Sequence, residues 1–445
     1  MYLLFIFYQI EFSKAGMMEY FYIQLLPCFQ NGGNMLSLRT DAERIIHDAI
    51  SHALPDTAVK NALKGEDLSG GRILLVAIGK AAWTMAEAAC DELGDMVQHG
   101  IVITKYGHSK GTLPNLRIYE AGHPVPDKNS FKATDEAIRL VSGLSKEDKV
   151  LFLISGGGSA LFEKPLVPPE ELESITKQLL SSGASIVEIN TIRKRLSAVK
   201  GGKFARLCEP AQVFSVVLSD IIGDPLDMIA SGPVYPDSST SDEAENIVKK
   251  YGISISRETQ ELLKEDTPHQ LANVKTKVTG SVTQLCRAAE NTCRSLGYEP
   301  IILTSSLSCE AREAGSFLGS IAEHYKDSGK SIAFIAGGET VVHVKGNGKG
   351  GRNQELALAA AIKLSGIKNA ALFSVGSDGT DGPTDAAGGY VDGCTAAALK
   401  QKDMDIYSML ENNDAYNALK ECGGLIITGP TGTNVNDLTV LLIKG

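Results

Sequence analysis

The segment VLFLI at 150–154 is apolar throughout and stops on Ser155-Gly156-Gly157-Gly158-Ser159. A continuous apolar run cut off by glycines predicts a strand buried on both faces, as a parallel sheet covered by helices requires. Glycines lack a Cβ, so the backbone here can turn sharply and approach a ligand closely. Backbone amides and two serine hydroxyls then converge just past the strand's C-terminal end, where open α/β sheets bind ligands. Ser155, Gly156, Gly157, Gly158 and Ser159 are therefore expected to cradle phosphate oxygens. A glycine-rich turn without a ligand is the plainer alternative.

The same pattern recurs along the chain. Residues 72–78 predict a buried strand that ends in Gly79-Lys80 and runs into a helix over 81–93. Further strands are expected at 100–104, 116–119 and 212–218, with helices at 131–141, 169–182 and 185–197. A polar helical stretch at 241–266 ends at Thr267-Pro268, which reads as a boundary. A second alternation then begins with a strand at 274–278 and continues through strands at 300–303, 332–336, 340–345, 370–375 and 438–443. The fold class expected is α/β, with two doubly wound α/β domains, residues 35–268 and 269–445, facing each other across a cleft. Residues 1–34 stand outside both alternations and read as an N-terminal appendage, compatible with a start codon assigned too early. Its apolar runs are broken by Glu11, Lys14 and Glu19, so neither can span a bilayer.

Charge and cysteine content narrow the function. Forty-three basic residues against 53 acidic ones give a net charge of −10, and no basic patch suggests a nucleic-acid partner. The eight cysteines are scattered, with no Cys-x-x-Cys pair and no zinc spacing. They predict a reducing cytoplasm rather than a disulfide framework.

Some motifs are misleading. Gly107-His108-Ser109-Lys110-Gly111 matches Gly-x-Ser-x-Gly, but Pro114 and a strand come next where a nucleophile elbow needs a helix. Gly79-Lys80 lacks the flanking residues of a Walker A loop. His123, ahead of Pro124, reads as a loop anchor before a base. Gly346-Asn347-Gly348-Lys349-Gly350-Gly351 matches the dinucleotide fingerprint, with Asp378 farther on as a ribose-binding acid. It supports a runner-up reading as an NAD(P)-dependent oxidoreductase. Lys345, Lys349 and Arg352 suit a phosphoryl group at least as well.

The acidic loops favour phosphoryl transfer. Asp220 and Asp224 lie beyond one expected strand end, Asp378, Asp381 and Asp385 beyond another, and Glu339 comes directly after Gly337-Gly338. Magnesium takes one or two carboxylates together with substrate phosphates. Phosphoryl transfer also needs cations on the moving oxygens, and Lys80, Lys200 and Arg352 are candidates. Any one of these aspartates alone reads as a turn former.

Six segments in this order carry a resemblance: SGGGSA at 155–160, SAVKGG at 197–202, SDIIGDPLDMIASGP at 219–233, GGRNQEL at 350–356, SDGTDGPTDAA at 377–387 and TGPTGTNVND at 428–437. Over roughly residues 40–445 the chain resembles the glycerate 2-kinase family, whose C-terminal part is the MOFRL domain. The resemblance implies two α/β domains around a cleft and transfer of a phosphoryl group from ATP to D-glycerate with magnesium. The product would be 2-phosphoglycerate or, in some members, 3-phosphoglycerate. Lys80 and Arg352 match the family's catalytic pair. The triphosphate would lie against residues 155–159 with Lys200, and magnesium on one or two of Asp220, Asp224, Asp378 and Asp381. Small molecules are the expected partners, with no membrane or nucleic acid, and homo-oligomerisation is left open. A hydroxypyruvate reductase and a non-catalytic nucleotide or sugar-acid sensor stand as the alternatives.

Overall fold

The computed structural model describes residues 33–223 and 225–445. The expectations for residues 1–32 and for Asp224 lie outside the described residues.

Six strands form the first sheet: β1 (Ile73–Ile78), β2 (Val97–Lys105), β3 (Leu116–Ala121), β4 (Lys149–Ile154), β5 (Gln212–Leu218) and β6 (Val274–Gly280). Their order is β3-β2-β1-β4-β5-β6, and every neighbouring pair is parallel. The chain winds outward from β1 on one side and from β4 on the other. The β1/β4 junction is thus the topological switch point, where sheets of this kind open a crevice at their C-terminal ends. Both strands suit the centre because they are apolar on both faces. Ile73, Leu75 and Ala77 enter one core while Leu74, Val76 and Ile78 enter the opposite one. In β4, Leu151 and Leu153 join the first core and Val150, Phe152 and Ile154 the second. Fully burying each such side chain contributes about 1.5–3 kcal/mol.

The second sheet contains β7 (Glu299–Leu307), β8 (Ile332–Gly338), β9 (Ala370–Gly376), β10 (Gly388–Asp392), β11 (Leu425–Ile426) and β12 (Asp437–Ile443). Its order is β11-β10-β9-β12-β8-β7. This half is α/β but mixed. β7 and β8 are parallel, whereas β12 runs antiparallel to both β8 and β9. Strand–helix alternation does not encode the direction of a final strand that enters through a loop, and β12 is buried at every position.

Three details differ from the sequence reading. The strand expected to open the second domain is β6, and it hydrogen-bonds along β5 at the edge of the first sheet. Its half-exposed face carries Lys275 and Lys277, both paired with Glu66, as suits an edge strand. The chain therefore changes sheets after Gly280. Residues 340–345 form no strand, only an isolated bridge between Val341 and Glu310. Helix Gly33–His52 begins the described chain yet packs on the second sheet's side. There Arg39 donates to the Gly423 carbonyl at 2.7 Å, and Asp41 accepts from Tyr298 at 2.6 Å. Its Leu38 and Ile45 share one core with Leu285 and Val440 of the second half and with Leu75 and Leu153 of the first. A common apolar layer thus fixes the two sheets relative to each other.

Candidate active site

Lys80 stands at the switch point, just past β1. Its amide donates to the Gly156 carbonyl at 2.9 Å, which ties the β1 loop to the glycine loop after β4. The Lys80 side chain is exposed and pairs with no carboxylate among the described residues. Ser155 is buried, and its hydroxyl accepts from the Ala81 amide at 3.1 Å and donates to the Ile78 carbonyl at 3.3 Å. That hydroxyl clamps two loops and is not available to a ligand. By contrast, the amides of Gly156, Gly157, Gly158 and Ser159 meet no acceptor among the described residues. Gly157 has φ 87°, and a side chain there would press on the His123 ring at 3.0 Å and on Lys80 at 3.4 Å. Glycine is required at this position both for its backbone angle and for this close approach. Burial pushes His123 below its ordinary pKa, and the charges of Lys80 and Lys105 and the neighbouring His108 add to this. The imidazole beside Lys80 is therefore neutral at pH 7.

Asp220, past the end of β5, faces the same loop: a side chain on Gly156 would collide with its carboxylate. Burial raises the Asp220 pKa, Lys80 opposes this and Glu339 reinforces it. That last influence crosses between the two halves of the protein. Glu339 lies just beyond β8, and its carboxylate meets Arg352 at 3.0 Å. Arg352 also holds Asp437 through two bonds of 2.6 and 3.1 Å. Burial works against the guanidinium charge, but Asp437 and Glu339 outweigh it and hold Arg352 well above its ordinary pKa. Asn436 closes the circuit: its amide donates to the Asp220 carbonyl at 3.3 Å and to Glu339 at 3.4 Å. Asn436 takes φ 67°, a left-handed conformation that asparagine tolerates better than most residues.

Several residues expected at the site do other work. Lys200 is fully buried and pairs with Glu163 at 2.8 Å. It also donates to the carbonyls of Ser159 at 2.9 Å and Phe162 at 3.0 Å, so its ammonium is committed to groups inside the protein. Burial lowers its pKa to about 8 against the pull of Glu163. Lys200 braces the glycine loop from below and offers no N–H to a ligand. Asp381 is also buried, with its two oxygens accepting from the Asn353 and Gln354 amides at 3.1 and 2.9 Å. It caps helix Arg352–Leu364 in place of a side chain on Gly351, and such a side chain would collide with it. Burial raises its pKa to about 6, with the two amides opposing. Asp378 accepts from the Thr380 amide at 2.9 Å and closes its own turn. Among the described residues no group of three or more His, Cys, Asp or Glu side chains forms a metal cage.

The dinucleotide-like loop is also committed elsewhere. The amides of Lys345 and Gly346 donate to the Asn413 side chain, at 2.7 and 3.0 Å. Those of Gly348 and Lys349 donate to the Asn412 carbonyl and to Asp414, both at 2.9 Å. With its amides pointing into the protein and no strand leading into it, the loop has neither the nest nor the framing of a pyrophosphate site. It serves to deliver Arg352. Asn436 and Asp437 are the site residues that the sequence reading did not single out, and Glu339 stands in it among the acidic loops without an assigned role. Asn436 and Asp437 lie within the segment at 428–437 that carried the resemblance, which is the one signal that pointed to them.

Residues 41–264 match a family described only as a domain of unknown function (DUF4147), and residues 332–437 match the MOFRL family. The chain is 54% identical to the D-glycerate 2-kinase of Thermotoga maritima over 413 residues, which is 92% of this chain and 99% of that protein. A solved crystal structure of glycerate kinase from the same organism superposes with a TM-score of 0.88 at 54% identity, covering 92% of this chain and all (100%) of that one. A protein of Agrobacterium vitis named a putative hydroxypyruvate reductase is 36% identical and covers 92% of this chain and 95% of its own length. With both halves matched and the fold shared along nearly its whole length, the chain belongs to the glycerate 2-kinase family.

Proposed function

We propose that the protein transfers the γ-phosphoryl group of ATP to the 2-hydroxyl of D-glycerate, giving 2-phosphoglycerate and ADP. The observation that supports this reading is that Lys80 and Glu339, the ion-pair partner of Arg352, both act on Asp220, while Asn436 bonds both the Asp220 carbonyl and Glu339 across the junction between the halves. Lys80 stands free on one side, and Arg352, fixed by Asp437 and Glu339, stands on the other. Phosphoryl transfer consists mostly of positioning and charge neutralisation, so such a pair suits it. The open amides of residues 156–159 would hold phosphoryl oxygens, and Lys80 would neutralise the group in transit. Arg352 would hold the acceptor's carboxylate or share that charge, since its planar fork matches either anion.

A divalent cation fits this site. Asp220 is a partly buried carboxylate with no cationic partner in ion-pair range among the described residues, and Glu339 is the carboxylate whose charge acts on it across the junction. Magnesium, when bound, offsets phosphate charge, and Asp220 and Glu339 are the residues that would hold it. Asp381, buried and accepting from two helix amides, is left out of this set. The reading also places the enzyme in the cytoplasm, in keeping with Cys90, Cys208, Cys286, Cys293 and Cys309, which form no disulfide. No helix among those residues is long and apolar enough to cross a membrane.

Purified protein should release ADP from magnesium–ATP only when D-glycerate is added, and should leave NADH untouched in the presence of hydroxypyruvate. Steady hydroxypyruvate-dependent loss of NADH absorbance, without glycerate-dependent ADP release, would reverse the assignment in favour of the reductase.

A further inference from the structure

Ser159 is half-buried on the glycine loop, as are Gly156 and Gly157, while Gly158 and Ala160 are buried. Its carbonyl is held by two cations, Lys200 at 2.9 Å and Arg193 at 3.2 Å. Its hydroxyl lies 3.1 Å from that of Ser231. Ser231 is fully buried and donates to the Asn190 side-chain oxygen at 3.1 Å. The Asn190 amide nitrogen faces the Met228 sulfur at 3.3 Å. Ala230 and Ser231 are consecutive non-glycine residues with φ 51° and 61°. Two such residues in a row cost energy, and the surrounding structure keeps Ser231 in place despite it.

This chain of contacts has a direction. A thioether sulfur can only accept, so the Asn190 nitrogen must be the group facing Met228 and its oxygen the group facing Ser231. Ser231 then spends its single proton on Asn190. Its oxygen is left as an acceptor toward Ser159, so Ser159 spends its own proton inward. What Ser159 presents outward is a pair of lone pairs with no proton. A phosphate oxygen at pH 7 is an acceptor too and gains nothing from that group. A hydroxyl, which brings a proton, does.

We infer that Ser159 is a specificity-determining residue that accepts a hydrogen bond from the acceptor substrate's second hydroxyl, the one that is not phosphorylated. This rests on the kinase reading and deepens it. It also moves Ser159 from the phosphate cradle, where the sequence placed it, to the sugar-acid end of the site. The amide of Ser159 stays free for phosphate while its side chain reads the substrate.

The test compares D-glycerate with D-lactate, which keeps the 2-hydroxyl and the carboxylate but lacks the 3-hydroxyl. Ser159→Ala should lower kcat/KM for D-glycerate about tenfold, the worth of one net hydrogen bond, and leave that for D-lactate unchanged. Where D-lactate turnover is too slow to follow, its inhibition constant against D-glycerate gives the same ratio. Ser231→Ala keeps the Ser159 hydroxyl but frees its proton, and should weaken the preference for D-glycerate in the same direction. An equal fall with both acceptors, or a change confined to the KM for ATP, would overturn the inference and return Ser159 to the phosphates. Absence of any glycerate-dependent ADP release by the wild-type enzyme would condemn the kinase reading itself, and this inference with it.

Discussion

Lys80→Ala is expected to lose at least about a hundredfold in kcat, the usual cost of one preorganised charge or donor at a transition state, while its melting temperature stays that of the wild type. The unchanged melting temperature is a consequence of exposure. The ammonium has no ion pair among the described residues, so nothing is left unpaired when it goes. The loop itself is held by the Lys80 backbone, through its amide to Gly156 and its carbonyl to Thr104, and alanine keeps both bonds. Two other lysines serve as contrasts. Lys110, exposed and stacked over Trp83 in the loop between β2 and β3, should tolerate alanine with near-normal kinetics. Lys200→Ala should instead fail on stability, at the low end of about 3–5 kcal/mol, because it leaves the buried Glu163 carboxylate with only Arg193, at 3.6 Å, as its cationic partner. Steady-state kinetics and thermal melts of the three variants separate the roles. A folded Lys80→Ala enzyme with normal kcat would remove this lysine from the chemistry.

Arg352→Ala should lose at least about a hundredfold in kcat for the same reason, but it should also lose stability. Asp437 is only 5% exposed and takes two bonds from Arg352, so truncation leaves a buried carboxylate without its partner. The two losses can be separated. The double variant Arg352→Ala/Asp437→Asn removes the stranded charge and should recover much of the melting temperature while kcat stays low. Arg352→Lys keeps the charge but not the bidentate fork, and should fall between wild type and alanine. Recovery of kcat along with stability in the double variant would make Arg352 a structural residue.

How much of this could be read from residues alone depended on whether the deciding physics was local. The strands at the centre of the first sheet are continuous apolar runs stopped by glycine, and β1 and β4 fall where those runs predict. Lys80 and the glycine loop were legible for the same reason, since a strand end fixes the position of the next few residues. Lys200 was not legible. It stands beside two glycines in a polar-looking segment, and only the tertiary approach of Glu163 and two carbonyls shows that it is spent inside. Asp381 looked like a free carboxylate in an acidic loop, yet Gly351, distant in sequence, leaves the space that makes it a helix cap. The dinucleotide-like glycines failed because residues 412–414 take up their amides, a contact that no local pattern reports. β6 was found as a strand but assigned to the wrong sheet, because hydrophobic pattern sets an element and not the edge it joins. Asn436 and Asp437 go unassigned, and Glu339 stands among the acidic loops without a role, because their roles exist only where two strand ends from different parts of the chain meet β5 of the other sheet.

The most direct test of glycerate phosphorylation at this junction is phosphorus NMR of the product formed from magnesium–ATP and D-glycerate by the wild-type enzyme, recorded without proton decoupling. Transfer to the 2-hydroxyl places the phosphorus next to a carbon bearing one proton, so the new phosphomonoester resonance should be a doublet that grows as ADP accumulates. A triplet would mean transfer to the 3-hydroxyl and would contradict the orientation in which the 3-hydroxyl is held at Ser159. No new resonance, with ATP intact, would contradict the assignment of the Lys80–Arg352 junction as a glycerate phosphoryl-transfer site.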